Sequence, residues 1–328
     1  MKDIKFYIGP MTQNIIDAVI EFAEENNQRF GFVATRRQID YDGGYVGYNT
    51  HNFTRYIKSK TNKVLICRDH SGQGQGKNSK ASMYDTMTSL YWDAIEDMDI
   101  IHIDPFKNEI NDYTHCLRET LNHIFYVNTL SPNSFFEIGT EQAIKPYDAL
   151  YLYTFLNDLQ KDLGPLFNRI KYAVIQSGTN LEETKNTGIF NLNRLKNMIN
   201  VCNDFGVLSK EHNGDYLTNE EIKIRFDNGL NAINIAPEFG VIETMVLLDH
   251  INNNTVFEKI YKICLNGEKW KKWVDLTYFK PSQEKTKLIE ICGHYHNTAI
   301  REIINMDDNI IKNQIKEKIK LYNKWIVK

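Results

Sequence analysis

Asp69 and His70 stand side by side just after the apolar run Lys63–Cys67, and that adjacency is the sharpest chemical signal in the chain. Neighbouring residues at a strand end point in different directions. One can therefore ligate a metal while the other faces a bound molecule. His70 offers an imidazole to a divalent cation, and Asp69 offers a carboxylate for proton transfer. A plainer role stands beside this one, with Asp69 orienting Arg68 and His70 capping the next helix. His212, in Lys210-Glu211-His212, is a second candidate ligand, and Glu141 or Glu137 a third. Two histidines and a carboxylate would leave coordination positions open, as a catalytic metal requires. His102 lies inside an apolar run and reads as a buried structural histidine. His294 and His296 fall in a helical C-terminal part, where surface or structural roles are expected.

Other segments suggest an anion. Gly72-Gln73-Gly74-Gln75-Gly76-Lys77 is a glycine-rich loop with a lysine, and its backbone N–H groups could cradle phosphate. It lacks the GxxxxGK[ST] pattern, so no nucleotide loop is implied. Gly178-Thr179 and Asn213-Gly214-Asp215 follow later apolar runs, where barrel phosphate sites often form. Arg36, Arg37 and Arg68 would add positive charge. The competing reading makes these loops lids.

The elements that must position these residues are short apolar segments: Lys5–Ile8, Phe30–Ala34, Lys63–Cys67, Ile100–Ile103, Phe135–Ile138, Tyr172–Ile175, Val207–Lys210 and Ala232–Ile235. Each has strand length, and most are apolar almost without alternation, as strands buried on both faces of a parallel sheet are. Between them lie amphipathic stretches such as Ile15, Ile16, Ala18, Val19 and Phe22. Eight strand–helix units predict a (β/α)8 TIM barrel. The competitor, a doubly wound sheet, is disfavoured because no GxGxxG follows the first strand. Polar, ionisable and glycine residues gather at the carboxyl end of nearly every strand, where barrel chemistry sits. Phe239–Ile251 reads as the eighth helix. The barrel is expected over residues 1–251, with a helical extension over 252–328 packed on it. Trp270, Trp273 and Trp325 are its expected anchors, and Ile310–Trp325 its closing or homo-oligomer-forming helix.

The 328 residues, 42% of them hydrophobic, suffice for one sizeable core. A net charge of -3, with Lys and Arg scattered, argues against a nucleic-acid partner. No apolar run reaches the ~20 residues of a membrane span. The first residues do not read as a signal peptide. Five dispersed cysteines without a CxxC pair read as reduced thiols of a cytoplasmic protein.

Taken together, these segments resemble the Z-type accessory subunits of tagatose-bisphosphate aldolase. Gln38-Ile39-Asp40 followed by Gly43-Gly44-Tyr45-Val46-Gly47 is similar to that family's strand-two motif, and Asp69-His70-Ser71-Gly72 to its aspartate–histidine–x–glycine motif. Ile101-His102-Ile103-Asp104, Ile138-Gly139-Thr140-Glu141 and Glu211-His212-Asn213-Gly214-Asp215-Tyr216 resemble its motifs on strands four, five and seven. Lys269-Trp270-Lys271-Lys272-Trp273 resembles an aromatic–lysine segment near its C-terminus. The family is related to class II zinc-dependent ketose-bisphosphate aldolases, where an aspartate–histidine pair supplies the proton-transfer acid and a metal ligand. Asp69 and His70 match that pair. The chain departs from the zinc enzymes at Gln176-Ser177-Gly178, which holds no strand-six histidine. Gly72-Gln73-Gly74 also replaces a glycine–proline–asparagine, and Gln142-Ala143-Ile144 a proline- and glycine-rich stretch. The resemblance implies a metal-assisted aldolase, or a related lyase or isomerase, acting on a phosphorylated ketose sugar. A divalent metal, zinc by this likeness, would sit on His70, His212 and Glu141, with Asp69 and Glu141 moving protons. Z-type members are regarded as non-catalytic, so the alternative is a subunit that stabilises a class II aldolase.

Overall fold

The computed structural model describes residues 4–77, 82–107 and 112–325. Residues 1–3, 78–81, 108–111 and 326–328, which fall within the two expected spans, lie outside the described residues. Eight parallel strands close into a barrel: β1 (Phe6–Ile8), β2 (Phe30–Thr35), β3 (Val64–Ser71), β4 (Ile100–Ile103), β5 (Phe135–Ile138), β6 (Ile170–Ile175), β9 (Leu208–Glu211) and β10 (Ala232–Ile235). The order round the ring is β1-β10-β9-β6-β5-β4-β3-β2. A two-stranded ribbon, β7 (Leu181–Glu182) and β8 (Lys185–Asn186), lies outside the ring in the loop after β6. The expected (β/α)8 TIM barrel is therefore present.

The helices alternate with the strands: α1 (Gln13–Glu25), α2 (Thr50–Lys60), α3 (Met83–Ile95), α4 (Tyr113–Leu130), α5 (Ala149–Leu163), α6 (Leu192–Asp204), α7 (Asn219–Asp227) and α8 (Pro237–Asp249). Their starts follow local chemistry. Thr12 caps α1 through the Ile15 N–H, and Thr218 with Glu221 forms a reciprocal capping box on α7. The extension continues as α9 (Asn254–Gly267), α10 (Lys285–Cys292), α11 (Asn297–Arg301) and α12 (Asp308–Asn323).

Helix α12 packs against both α1 and α8 and closes the helical ring. Ile311, Ile315, Ile319 and Tyr322, on one helical face, are buried there, and Lys312 and Lys316 pair with Glu21 of α1. Its apolar face is thus used within the chain. Of the three expected tryptophan anchors only Trp270 is buried; Trp273 and Trp325 are half-buried. Among the described residues no helix is long and apolar enough to cross a membrane. All five cysteines are buried and outside disulfides.

Strand parity sorts the core into two layers. Phe6 and Ile8 face the helices, while Tyr7 points into the barrel with Val33, Cys67, Ile100, Tyr172 and Leu208. Gly31 admits the Tyr7 ring, since a Cβ there would lie 2.0 Å from it. The expected strand ends shift in one consequential place. β3 runs four residues past Cys67, because Thr35↔Asp69 and Ser71↔Ile103 continue its pairing on both sides. Asp69 and His70 therefore lie in the strand, not after it. The pairing is irregular between Arg68 and Ser71, and His70 takes the left-handed φ of +50°. Such a bulge re-aims a side chain at the barrel rim.

Candidate active site

Three imidazoles converge over the apolar floor of the barrel. Ring centroids of His70, His102 and His212 lie 5.0, 5.3 and 5.0 Å apart. Each ring has one nitrogen tied outward. His70 Nδ1 bonds Asp104 Oδ2 at 2.5 Å, His102 Nε2–H donates to the Gly139 carbonyl at 2.9 Å, and His212 Nε2–H donates to Glu137 Oε1 at 2.7 Å. The opposite nitrogens face Asp69: His102 Nδ1 at 3.3 Å, His70 Nε2 at 3.6 Å and His212 Nδ1 at 3.9 Å. His102 Nδ1 also accepts a 3.2 Å bond from the His70 backbone N–H. One ligand atom from each of Asp69, His70, His102 and His212 lies within 4.8 Å of the others. Outward carboxylate and carbonyl partners are what orient ligating histidines in metal centres. The donor set fits a divalent cation that takes imidazole and carboxylate.

The charges support one another. Burial alone would raise the Asp69 carboxyl, but His70, His102 and His212 override it and hold the group far below the usual carboxylate range. Burial alone would lower His70, yet Asp69 and Asp104 bring it to about 10. Beneath the histidines, Lys210 Nζ meets Glu137 Oε2 at 2.6 Å and sits 3.7 Å from the centre of the Tyr7 ring. Burial works against the Glu137 charge, and Lys210, His102 and His212 outweigh it.

Above the centre opens a cavity of about 240 Å³. Several expected residues reach it. Asp69, His70, His212, Glu141, Arg37, Asn213 and Asp215 all line it. Glu141 lies 3.8 Å from His70 Nε2 and 4.0 Å from His212 Nδ1, held by Asn213 Nδ2 at 2.8 Å. Asp215 faces the cavity but not as an anion binder. Its Oδ1 accepts from the Ala236 and Glu238 N–H groups at the start of α8, each at 2.9 Å.

Other expected residues lie away from the cavity. Arg68 is buried between strand and helix, bonded through Nε and Nη2 to Asp93 at 2.8 and 2.6 Å. Its guanidinium does not line the cavity, and it pairs with Asp93 instead of Asp69. Parity explains this, since Cys67 and Asp69 share the inner face and Arg68 the outer. Arg36 is likewise buried, held by Asp40 at 2.8 Å and Asp85 at 2.6 Å. Gly72 packs under the Asp104 carbonyl, Gly178 against that of Ile189 and Gly214 against Ile233, so none of the three positions has room for a side chain, and none lines the cavity. Gly74, at φ +77°, belongs to a loop in which, among the described residues, only Gln75 lines the cavity, and Lys77 pairs with Asp42.

Other cavity residues carry no local signal in the sequence. His102 is buried, as expected, but the same parity that puts Ile100 inside puts it in the cluster. Lys107, Lys272 and Tyr295 line the cavity, as does Asn234, whose amide is buried without a partner on either atom. His294 is buried and His296 half-buried in the extension.

The sequence matches no protein-family model and no curated protein. Solved structures do resemble it. A probable tagatose 6 phosphate kinase from Sinorhizobium meliloti 1021 is 16% identical at TM-score 0.71, over 97% of this chain and 87% of that one. The YdjI aldolase from Escherichia coli K12 is 13% identical at TM-score 0.55, over 97% and 90%. The fructose-bisphosphate aldolase of Campylobacter jejuni is 13% identical at TM-score 0.55, over 92% and 90%. At such identities the likeness is one of fold.

Proposed function

We propose that the protein is a metal-assisted lyase or isomerase of the class II aldolase type, acting on a phosphorylated ketose sugar. The observation that carries this reading is the convergence of three inward ring nitrogens on Asp69, with every outward nitrogen already engaged; His102 Nδ1 would exchange its bond from the His70 N–H for the cation. His70, His102 and His212 would hold the cation, zinc by the donor set. When bound, such a cation polarises a substrate oxygen. Asp69, faced by all three rings and open to the cavity, would give and take the proton at the neighbouring carbon or oxygen. Glu141, steadied by Asn213, would be the second proton-transfer group. The unpartnered Asn234 amide would orient substrate hydroxyls. The fold shared with solved aldolases adds support.

The alternative is a non-catalytic subunit stabilising a class II ketose-bisphosphate aldolase. It rests on the likeness to the non-catalytic Z-type subunits and on the lack of a strand-six histidine. Here Gln176 is taken up by the Thr140 and Lys145 carbonyls, and His102 brings a third imidazole from β4. That arrangement favours the catalytic reading. The test is zinc content after dialysis against Zn²⁺, followed by turnover with a panel of phosphorylated ketoses. One zinc per chain and cleavage or isomerisation of at least one ketose phosphate are expected. Folded protein that takes up no zinc would refute the reading. Zinc uptake without turnover, together with co-purification of an aldolase, would favour the subunit.

A further inference from the structure

Barrels commonly hold phosphate between the loops after the last two strands and a helix N-terminus. In this chain that place is filled from within. Asp215 takes the first free N–H groups of α8, and the Gly214 N–H goes to the Asn234 carbonyl at 2.9 Å. Glu238 adds a second carboxyl there, satisfied by the Tyr216 N–H, the Tyr322 hydroxyl and Lys318. Two acidic groups stand where a dianion would otherwise sit.

Across the ring the charges reverse. Arg37 follows β2, Lys107 ends the turn after β4, and Lys272 comes from the short turn Lys269–Trp273 of the extension. All three line the cavity and keep solvent contact. Among the described residues none of them has a carboxylate within ion-pair distance, unlike the buried Arg36 and Arg68. The Arg37 Nε–H donates to the Gly76 carbonyl at 3.2 Å, which orients the guanidinium. Lys272 Nζ lies 4.1 Å from the centre of the Trp273 ring and 5.1 Å from that of Tyr295. The three charges repel. In both lysines, desolvation at the cavity wall and then Arg37 lower the ammonium, and Glu141 opposes them. Cations gathered from three separate elements, with Glu141 acting on both lysines only from beyond ion-pair distance, match a ligand carrying more than one negative charge.

We infer that Arg37, Lys107 and Lys272 anchor a phosphate monoester at the mouth of the cavity, over strands β2 to β4. Its distance from the usual barrel phosphate position follows from Asp215 and Glu238 occupying the latter. That the phosphate belongs to the substrate rests on the function proposed above, whereas the anion site stands on the three cations. The sugar would then lie with its phosphate toward the extension and its reacting end toward Asp69.

Isothermal titration of the full chain with inorganic phosphate, D-fructose 6-phosphate and D-glucuronate tests this. Wild type should bind both phosphates more tightly than the singly charged glucuronate. Arg37→Met and Lys272→Met should each weaken phosphate by about tenfold or more, with zinc content and circular dichroism unchanged. Lys272→Arg should restore much of the affinity. Unchanged phosphate affinity in both Met variants, or tighter binding of glucuronate, would overturn the inference. Phosphate bound through these cations by a protein that takes up no zinc would refute the metal reading and leave the anchor standing.

Discussion

His212 donates its Nε2 proton to Glu137 across 2.7 Å, and that contact decides which nitrogen looks into the cavity. Glu137 can play this part because Lys210, 2.6 Å away and buried, neutralises it. Lys210→Met should therefore leave a buried carboxylate without its ammonium partner, held by His212 alone, and lower stability by about 3 kcal/mol. The double variant Lys210→Met/Glu137→Gln should recover much of that loss, since Gln still accepts from His212 without a charge. Urea denaturation of the three proteins in a double-mutant cycle measures the coupling. Additive losses would contradict it.

Asp69 and the histidines should separate by function. Asp69→Asn keeps the shape but loses the base, so turnover should fall by about 10²–10⁴-fold while zinc stays bound. His70→Ala, His102→Ala and His212→Ala should each lose zinc. Metal analysis of Glu141→Gln beside His102→Ala identifies the third ligand. Zinc retained in His102→Ala and lost in Glu141→Gln would return that role to the carboxylate.

The three arginines after β2 and in β3 should behave differently. Arg68→Ala breaks a buried, two-pronged pair with Asp93 and should cost about 3–5 kcal/mol. Arg36→Ala should also lower the thermal midpoint, because Asp40 and Asp85 lose their partner. Arg37→Ala should leave the midpoint nearly unchanged and weaken phosphate binding alone. Differential scanning calorimetry beside phosphate titration checks all three.

Lys272 makes phosphate binding proton-linked. Desolvation, then Arg37, pulls its ammonium down toward about 7, and the exposure of the side chain to solvent reduces that shift. A dianion beside it favours the charged form and raises that value again. At pH 8 binding should therefore take up protons, visible as a dependence of the titration heat on the buffer's ionisation enthalpy. Without ligand, the unfolded chain holds more protons than the folded one between about 7 and the ordinary lysine value of 10.5, so stability should rise with pH across that window. Lys272→Met should remove the uptake and flatten the rise. A wild-type heat independent of buffer would contradict the link.

The sequence by itself determined the eight strands, their parallel closure and the Asp69-His70 pair, because buried parallel strands print as short apolar runs and barrels place chemistry at one end of them. Strand parity was also written there: Cys67 inside puts Asp69 inside and Arg68 out, and Ile100 inside does the same for His102. The runs are apolar on both faces, however, so nothing local says which face is the interior. Only ring closure decided that, turning Arg36 and Arg68 into helix-facing ion pairs and bringing His102 and Lys210 beneath the cavity. It likewise took the packed extension to bring Lys272, more than two hundred residues along the chain from Arg37, to the same mouth. Charges so far apart in sequence become neighbours through long-range packing, which no local pattern of residues encodes.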